Sequence, residues 1–165
     1  MVLPKDIIHH FRQGGWVHWP RPDGDLFIHK LAYDLSLPQG PTAHLAVAEA
    51  GILANYVEEI SDLMWDVLEH TEKELWLTVP GGKNVPEAMA GSAGDVSLHW
   101  SKKGTLHDLL YPTGKPGIVL RAQTAEESTR TLAALENVVS LPPQKGATNR
   151  RAMRMAPDGS IQMLE

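Results

Sequence analysis

The sequence predicts an α+β fold. A small antiparallel or mixed sheet packs against one long amphipathic helix, at about 42–75 and broken near Gly51, and against a second helix at about 125–139. Three features carry this expectation. Between Thr42 and Leu75 there is no proline, and Leu45, Ile52, Leu53, Tyr56, Val57, Ile60, Leu63, Met64, Val67 and Leu68 recur every three or four positions. Gly117 to Ala122 is a short apolar run of the kind buried in a sheet. Thr124 with Glu127 three residues later forms a capping box ahead of the stripe Leu132, Leu135 and Val139.

In chain order, residues 4–13 read as a short helix, with Pro4 suited to the first turn, Ile7, Ile8 and Phe11 at helical spacing, and Gly14-Gly15 at the end. Trp16 to Trp19 and Leu26 to His29 are β-prone runs flanking the turn formers Pro20 to Asp25, which predicts a hairpin. A two-residue Asp23-Gly24 loop would set His18 opposite His29. A type I turn starting at Pro22 slips the pairing, so that Trp19 meets Phe27 and Val17 meets His29. The Pro-Asp-Gly order and the aromatic pair favour the second register.

The run from Thr42 to Leu75 is too long to be one straight rod. At about 1.5 Å per residue it would measure about 51 Å, against about 40 Å across a compact domain of this size. Gly51, about 1 kcal/mol worse than alanine inside a helix, marks the break. Glu74 to Val79 reads as a last helical turn or a new strand, residues 81–94 as loop, and Asp95 to Trp100 as a strand. Thr105 to Tyr111 reads as a strand or a short helix. Beyond Pro142-Pro143, the Pro157-Asp158-Gly159 turn between Met153, Met155, Ile161 and Met163 suggests an extended tail or a terminal hairpin from about 142. The whole, 1–165, is expected to be a single globular domain.

Composition narrows the function classes. The chain has no cysteine, which excludes disulfides, Cys-ligated zinc, iron–sulfur clusters and thiol nucleophiles, and predicts a cytoplasmic setting. No stretch approaches the roughly 20 apolar residues that span a bilayer. Residues 42–76 hold eight acids and one lysine in a chain whose net charge is -5, so the predicted long helix is strongly acidic. Such a face repels phosphate backbones, making nucleic acid an unlikely partner, and attracts basic protein.

The usual mechanistic motifs are absent or incomplete. Gly81-Gly82-Lys83-Asn84 resembles the end of a phosphate loop but lacks the earlier glycine and the Ser or Thr for magnesium. Gly91-Ser92-Ala93-Gly94 lacks nucleophile-elbow spacing. Asp66 and His70 are an i, i+4 pair, which on a helix surface is more often a hydrogen bond than half a metal site. What remains are candidates: His99, His107 and Asp108 for catalysis, and His18 and His29 for a metal corner.

The leading expectation is therefore a non-catalytic protein-binding or assembly module, without cofactor. Its partner would be a basic protein or a second copy. Contact would run through Glu58, Glu59, Asp62, Asp66, Glu69 and Trp65 on the acidic helix, helped by exposed tryptophans. The alternative is a hydrolase or metal-dependent enzyme built from histidines and carboxylates.

Overall fold

A computed structural model describes residues 3–89, 94–156 and 158–164. Among these residues the chain builds a nine-stranded mixed sheet with a few short helices. The strands are β1 (Trp16–Trp19), β2 (Leu26–Lys30), β3 (Thr42–Val47), β4 (Glu74–Val79), β5 (Val96–Trp100), β6 (Gly117–Arg121), β7 (Val138–Ser140), β8 (Arg150–Met155) and β9 (Ile161–Met163). The helices are α1 (Lys5–Arg12), α2 (Asp62–His70), α3 (Thr105–Leu110) and α4 (Ala125–Ala134). The spatial order is β7-β1-β2-β6-β3-β5-β4-β8-β9, with β1/β7, β3/β5 and β4/β8 parallel and the other ladders antiparallel.

This architecture overturns the small sheet on one long helix. Thr42–Val47 is a central strand, Ala50–Asn55 a 3-10 turn, and only Asp62–His70 is α-helical. The cause lies in β3, which is paired on both sides and buried on both faces, so His44 and Ala46 face one way and Leu45 and Val47 the other without alternating in polarity. Its Ala-rich composition then mimics a helix. The real helix starts where Ser61 accepts a hydrogen bond from the Met64 amide at 3.1 Å, and it buries Met64 and Leu68. The second helix is also shorter than 125–139. Thr124 caps it through the Glu127 amide at 3.1 Å, but it ends at Ala134. Asn137, at φ 55, then turns the chain into β7, where the β-branched Val138 and Val139 sit.

The hairpin adopts neither anticipated register. Val17 pairs with Ile28, His18 with Phe27 and Trp19 with Leu26, so residues 20–25 form a six-residue loop. That loop packs onto the chain leaving β6. Gly24 is at φ +124, and a Cβ there would lie 2.5 Å from the Ala122 carbonyl oxygen.

The sheet buries both faces. On one, Trp16, Phe27, Leu45, Val47, Leu77, Leu98, Ile118 and Leu120 lie beneath Leu53, Val57 and the α2 residues Met64 and Leu68. On the other, Val17, Trp19, Leu26, Ile28, Ala46 and Val119 are covered by Phe11 of α1, Leu106, Leu109 and Leu110 of α3, and Leu3 and Leu141. No helix among the described residues is long and apolar enough to cross a membrane.

Replacing Gly24 with alanine combines a left-handed backbone with a clash against main chain, so a loss of about 2–3 kcal/mol is expected. Urea midpoints measure this, and an unchanged midpoint would show that the loop does not depend on close approach to Ala122.

Candidate functional site

The loop after β1 reaches the far half of the sheet. Arg21 grips Glu74, at the start of β4, through two parallel contacts of 2.9 and 2.7 Å. In strand order β1 and β4 are five ladders apart, about 24 Å in a flat sheet, so the loop and the coiling of the sheet together close the gap. Asp23 contributes to both sides: it meets Arg21 at 3.3 Å and Arg150 of β8 at 3.2 Å, and its backbone oxygen accepts from Arg121 of β6 at 2.7 Å. Residues 142–149, passing from β7 to β8, are held to the same cluster. The Gln144 amide donates to the Pro20 carbonyl, and the Glu74 amide to the Asn149 carbonyl, each at 2.9 Å.

Burial alone would raise the Glu74 carboxyl, but the Arg21 hydrogen bonds and charge outweigh it and hold Glu74 below the usual carboxylate range. For Arg21, burial works against the charged form and Glu74, then Asp23, overcome it, so the guanidinium stays protonated. Arg21 also lies 5.1 Å from the centre of the Trp19 ring. Glu74 accepts a third hydrogen bond, from Trp76 Nε1 at 3.0 Å.

Trp76 sits between two buried histidines. Its ring stacks on His99 at 4.3 Å and tilts against His44 at 4.6 Å. Burial, followed by the charges of His99, Arg121 and Arg150, pushes His44 down to about 3, so its ring is neutral. Its Nδ1 bonds the Ser97 hydroxyl at 2.6 Å. Burial likewise lowers His99 despite the nearby Glu74 carboxylate. His99 Nδ1 lies 2.7 Å from the Leu75 carbonyl, which can only accept, so Nδ1 carries the proton and Nε2 keeps a lone pair.

Beside His99 and Glu74 opens a cleft of about 760 Å³. Trp19, Trp100, Leu68, Leu75 and Leu106 supply its apolar walls, and Thr71, Ser101, Thr105 and Asn149 its neutral polar groups. Lys73, Lys102 and Lys103 line it together with Glu69 and Glu72. Lys102 is held in place, with Nζ 4.7 Å from the Trp100 ring centre and 2.9 Å from the Glu69 carbonyl oxygen.

The residues singled out from sequence fall in different places. Of the catalytic candidates, His99 lines the cleft, whereas His107 and Asp108 lie on α3, their side chains 3.4 Å apart and His107 stacked on Tyr111 at 5.3 Å. His18 faces Phe27 at 4.7 Å, and His29 packs against Trp16 at 4.8 Å with Nδ1 on the Lys30 carbonyl. Each candidate metal histidine is thus opposed by an aromatic ring. Among the described residues no three His, Asp or Glu side chains are grouped to hold a metal. Residues 91–93 of Gly91-Ser92-Ala93-Gly94 lie outside the described residues.

The protein-binding reading loses its structural basis. Glu58 and Glu59 precede α2, so only Asp62, Asp66 and Glu69 share a helix, nine residues long. Trp16, Trp19 and Trp76 are buried, and Trp65 and Trp100 are half-buried, Trp65 packed against the core. No exposed tryptophan remains to anchor a partner, and without a long acidic helix the argument against nucleic acid lapses too. Arg21, Glu74, Trp76 and His44 went unrecognised because they are separated by up to 55 positions and gather only through the sheet, with no local spacing to mark them.

The mixed nine-stranded sheet with its few short helices resembles the Sua5/YrdC-like fold. Three solved structures share it. A variant of P. abyssi Sua5 superposes with a TM-score of 0.70 at 13% identity, over 96% of this chain and 51% of that one. Full-length HypF in its phosphate- and nucleotide-bound form gives 0.72 at 12% identity, over 96% and 28%. E. coli YciO gives 0.71 at 14% identity, over 97% and 86%. P. abyssi Sua5 is also known as a complex with L-threonine. At these identities the likeness is one of fold, and the chain spans only about half of Sua5 and just over a quarter of HypF. No protein-family model and no curated protein matches the sequence.

Two outcomes follow from the buried cluster. Arg21→Met strands the Glu74 carboxylate and should cost about 3 kcal/mol or more, while Arg21→Met with Glu74→Met should recover part of that loss in urea unfolding. A double variant no more stable than the single one would refute the pairing. Folded His44 and His99 both titrate below their unfolded values, so the unfolded chain binds more protons. Their contribution is complete above about pH 6.5 and declines as pH falls below it. Unfolding midpoints between pH 7.5 and 4 should therefore fall with acid, and less steeply for His44→Gln; parallel curves would count against this role.

Proposed function

We propose that the chain binds a small nucleotide-type ligand in the cleft beside Trp19 and Trp100. The observation that carries this reading is the make-up of the cleft. At about 760 Å³ it has room for a mononucleotide. The ammonium groups of Lys73, Lys102 and Lys103 and the hydroxyls of Ser101 and Thr105 suit phosphate oxygens. The indoles of Trp19 and Trp100 suit a base. Support also comes from full-length HypF, which is known in a phosphate- and nucleotide-bound form and shares this fold over 28% of its length.

A second ligand class has its own support. Glu69 and Glu72 alternate with the lysines around the cleft, a pattern that matches a zwitterion, and the Sua5 neighbour binds L-threonine. An amino acid would place its ammonium group near the carboxylates and its carboxylate near the lysines. The lone pair on His99 Nε2 would then be the group positioned to accept a proton from whichever ligand occupies the cleft.

Isothermal titration of the chain with ATP, AMP, L-threonine and inorganic phosphate tests both. Saturable binding of a nucleotide is expected, weakened at least tenfold, or about 1.4 kcal/mol, in Lys102→Glu with Lys103→Glu. Saturation by L-threonine alone would shift the assignment to the amino acid. Neither ligand binding at millimolar concentration would overturn the proposal.

A further inference from the structure

At the opposite end of the strand order, the β7 edge brings three side chains into a line that the cleft does not use. Ser140 and His18 are direct partners in the parallel β1/β7 ladder. The Ser140 hydroxyl lies 2.8 Å from His18 Nδ1, and His18 Nε2 lies 2.9 Å from Asp25 Oδ2. Asp25 also accepts from the Ser128 hydroxyl on the same oxygen, and from the Arg21 amide on Oδ1 at 3.1 Å.

Against the effect of burial, the donors from Ser128, His18 and Arg21 hold Asp25 below its ordinary range, so it is an anion that can only accept. His18 Nε2 therefore carries a proton toward Asp25, and in the neutral imidazole the Nδ1 lone pair accepts from the Ser140 hydroxyl. Nucleophile, base and orienting carboxylate are thereby connected in the order that activates a serine. Phe27, stacked on the imidazole at 4.7 Å and 12°, fixes the plane of the ring.

Access is arranged as well. His18 is 7% exposed, whereas Ser140 is exposed on a strand that ends the sheet. The Trp16 amide donates to the Asn137 carbonyl and the Leu141 amide to the His18 carbonyl, so those residues turn their backbones toward β1. Ser140, one residue out of phase, points its own N–H toward the open edge. Ser140 is reached from that open edge; a separate cavity of about 420 Å³, which Ser140 does not line, adjoins the imidazole and carboxylate on the α4 side, with Leu132 and Thr129 among its lining. It shares no residue with the cleft.

From this geometry we infer a second site, in which Ser140 is the nucleophile of an acyl-transfer reaction on small carboxylic esters, His18 the general base and Asp25 the residue that positions His18. The Ser140 oxygen bonds to the ester carbonyl carbon as its proton passes to His18 Nδ1, and the Ser140 amide faces the developing oxyanion. The carbon–alkoxy bond then breaks, and the alkoxide leaves as an alcohol with the proton from His18. Water, deprotonated by the same nitrogen, attacks the acyl-serine, releases the carboxylic acid and restores the Ser140 hydroxyl. No oxidant, metal or cofactor enters the balance. The inference is independent of nucleotide binding in the cleft.

The test is covalent labelling of the intact chain with a fluorophosphonate, with the site located by mass spectrometry, alongside p-nitrophenyl acetate turnover. The expected result is stoichiometric label on Ser140, no label in Ser140→Ala, and labelling slowed at least a hundredfold in His18→Gln. Circular dichroism checks that the His18 variant folds. If it does not, wild type and Ser140→Ala decide alone, since Ser140 is exposed and its truncation leaves the core intact. No label on wild type, label on another serine, or a folded His18→Gln that labels at the wild-type rate would each overturn the assignment. Hydrolysis of the acetate that persists in Ser140→Ala would do the same.

Discussion

Most of the polar architecture hangs on one buried ion pair, the two-pronged contact between Arg21 and Glu74. Taking both charges out of water costs several kcal/mol each, a cost offset only when the geometry is good and the remaining donors and acceptors are satisfied. Here they are. Glu74 takes two hydrogen bonds from Arg21 and one from Trp76, while Asp23 completes the guanidinium. Fixing Glu74 orients Trp76, and Trp76 separates His44 from His99. Fixing Arg21 sets the 20–25 loop, which in turn presents Asp25 to His18. The cleft and the β7 edge are therefore both tied to the 20–25 loop, through Arg21 to Glu74 on one side and Asp25 to His18 on the other.

The sheet face that carries this cluster is split in character. Under α1 and α3 it is apolar, with Val17, Leu26, Ile28, Ala46 and Val119. Beyond their cover, the same face continues as His44, Ser97, His99, Trp76 and Glu74. Polar groups on a central sheet face are expensive unless each finds a partner, and each of these has one. The chain keeps a polar surface inside the fold where helix packing would otherwise favour leucine. That is the reason to seek chemistry there and not on the outer face of α2.

Legibility from sequence followed the range of the forces involved. The cap at Thr124, the strand at Gly117–Arg121 and the turn-rich loop 20–25 depend on neighbours in the chain, and their residue types announce them; the Ser61 cap does not show, because it lies inside the predicted long helix. The fold class was not legible, because Thr42–Val47 owes its conformation to β5 and β6 on either side. A strand buried on both faces shows no alternation. Hairpin register failed for a related reason: Asp23 and Asp25 serve Arg21, Arg150 and His18, so the loop is shaped by side-chain contacts and not by a minimal turn. Of the candidate sites, His99 shows in the sequence without its partners, and Ser140 does not show, because it follows the predicted helix at about 125–139 with no local motif to mark it.

The position of β6 between β2 and β3 has a consequence for how the chain is made. β2 and β3 follow each other in sequence but do not pair with each other; both wait for residues 117–121 to pair with them. Until that segment leaves the ribosome, each presents a row of open backbone donors and acceptors with apolar side chains on both faces. Nascent chains shorter than this point therefore hold two unprotected edges side by side, a period of exposure in which mispairing competes with folding. One strand, arriving late, closes both at once.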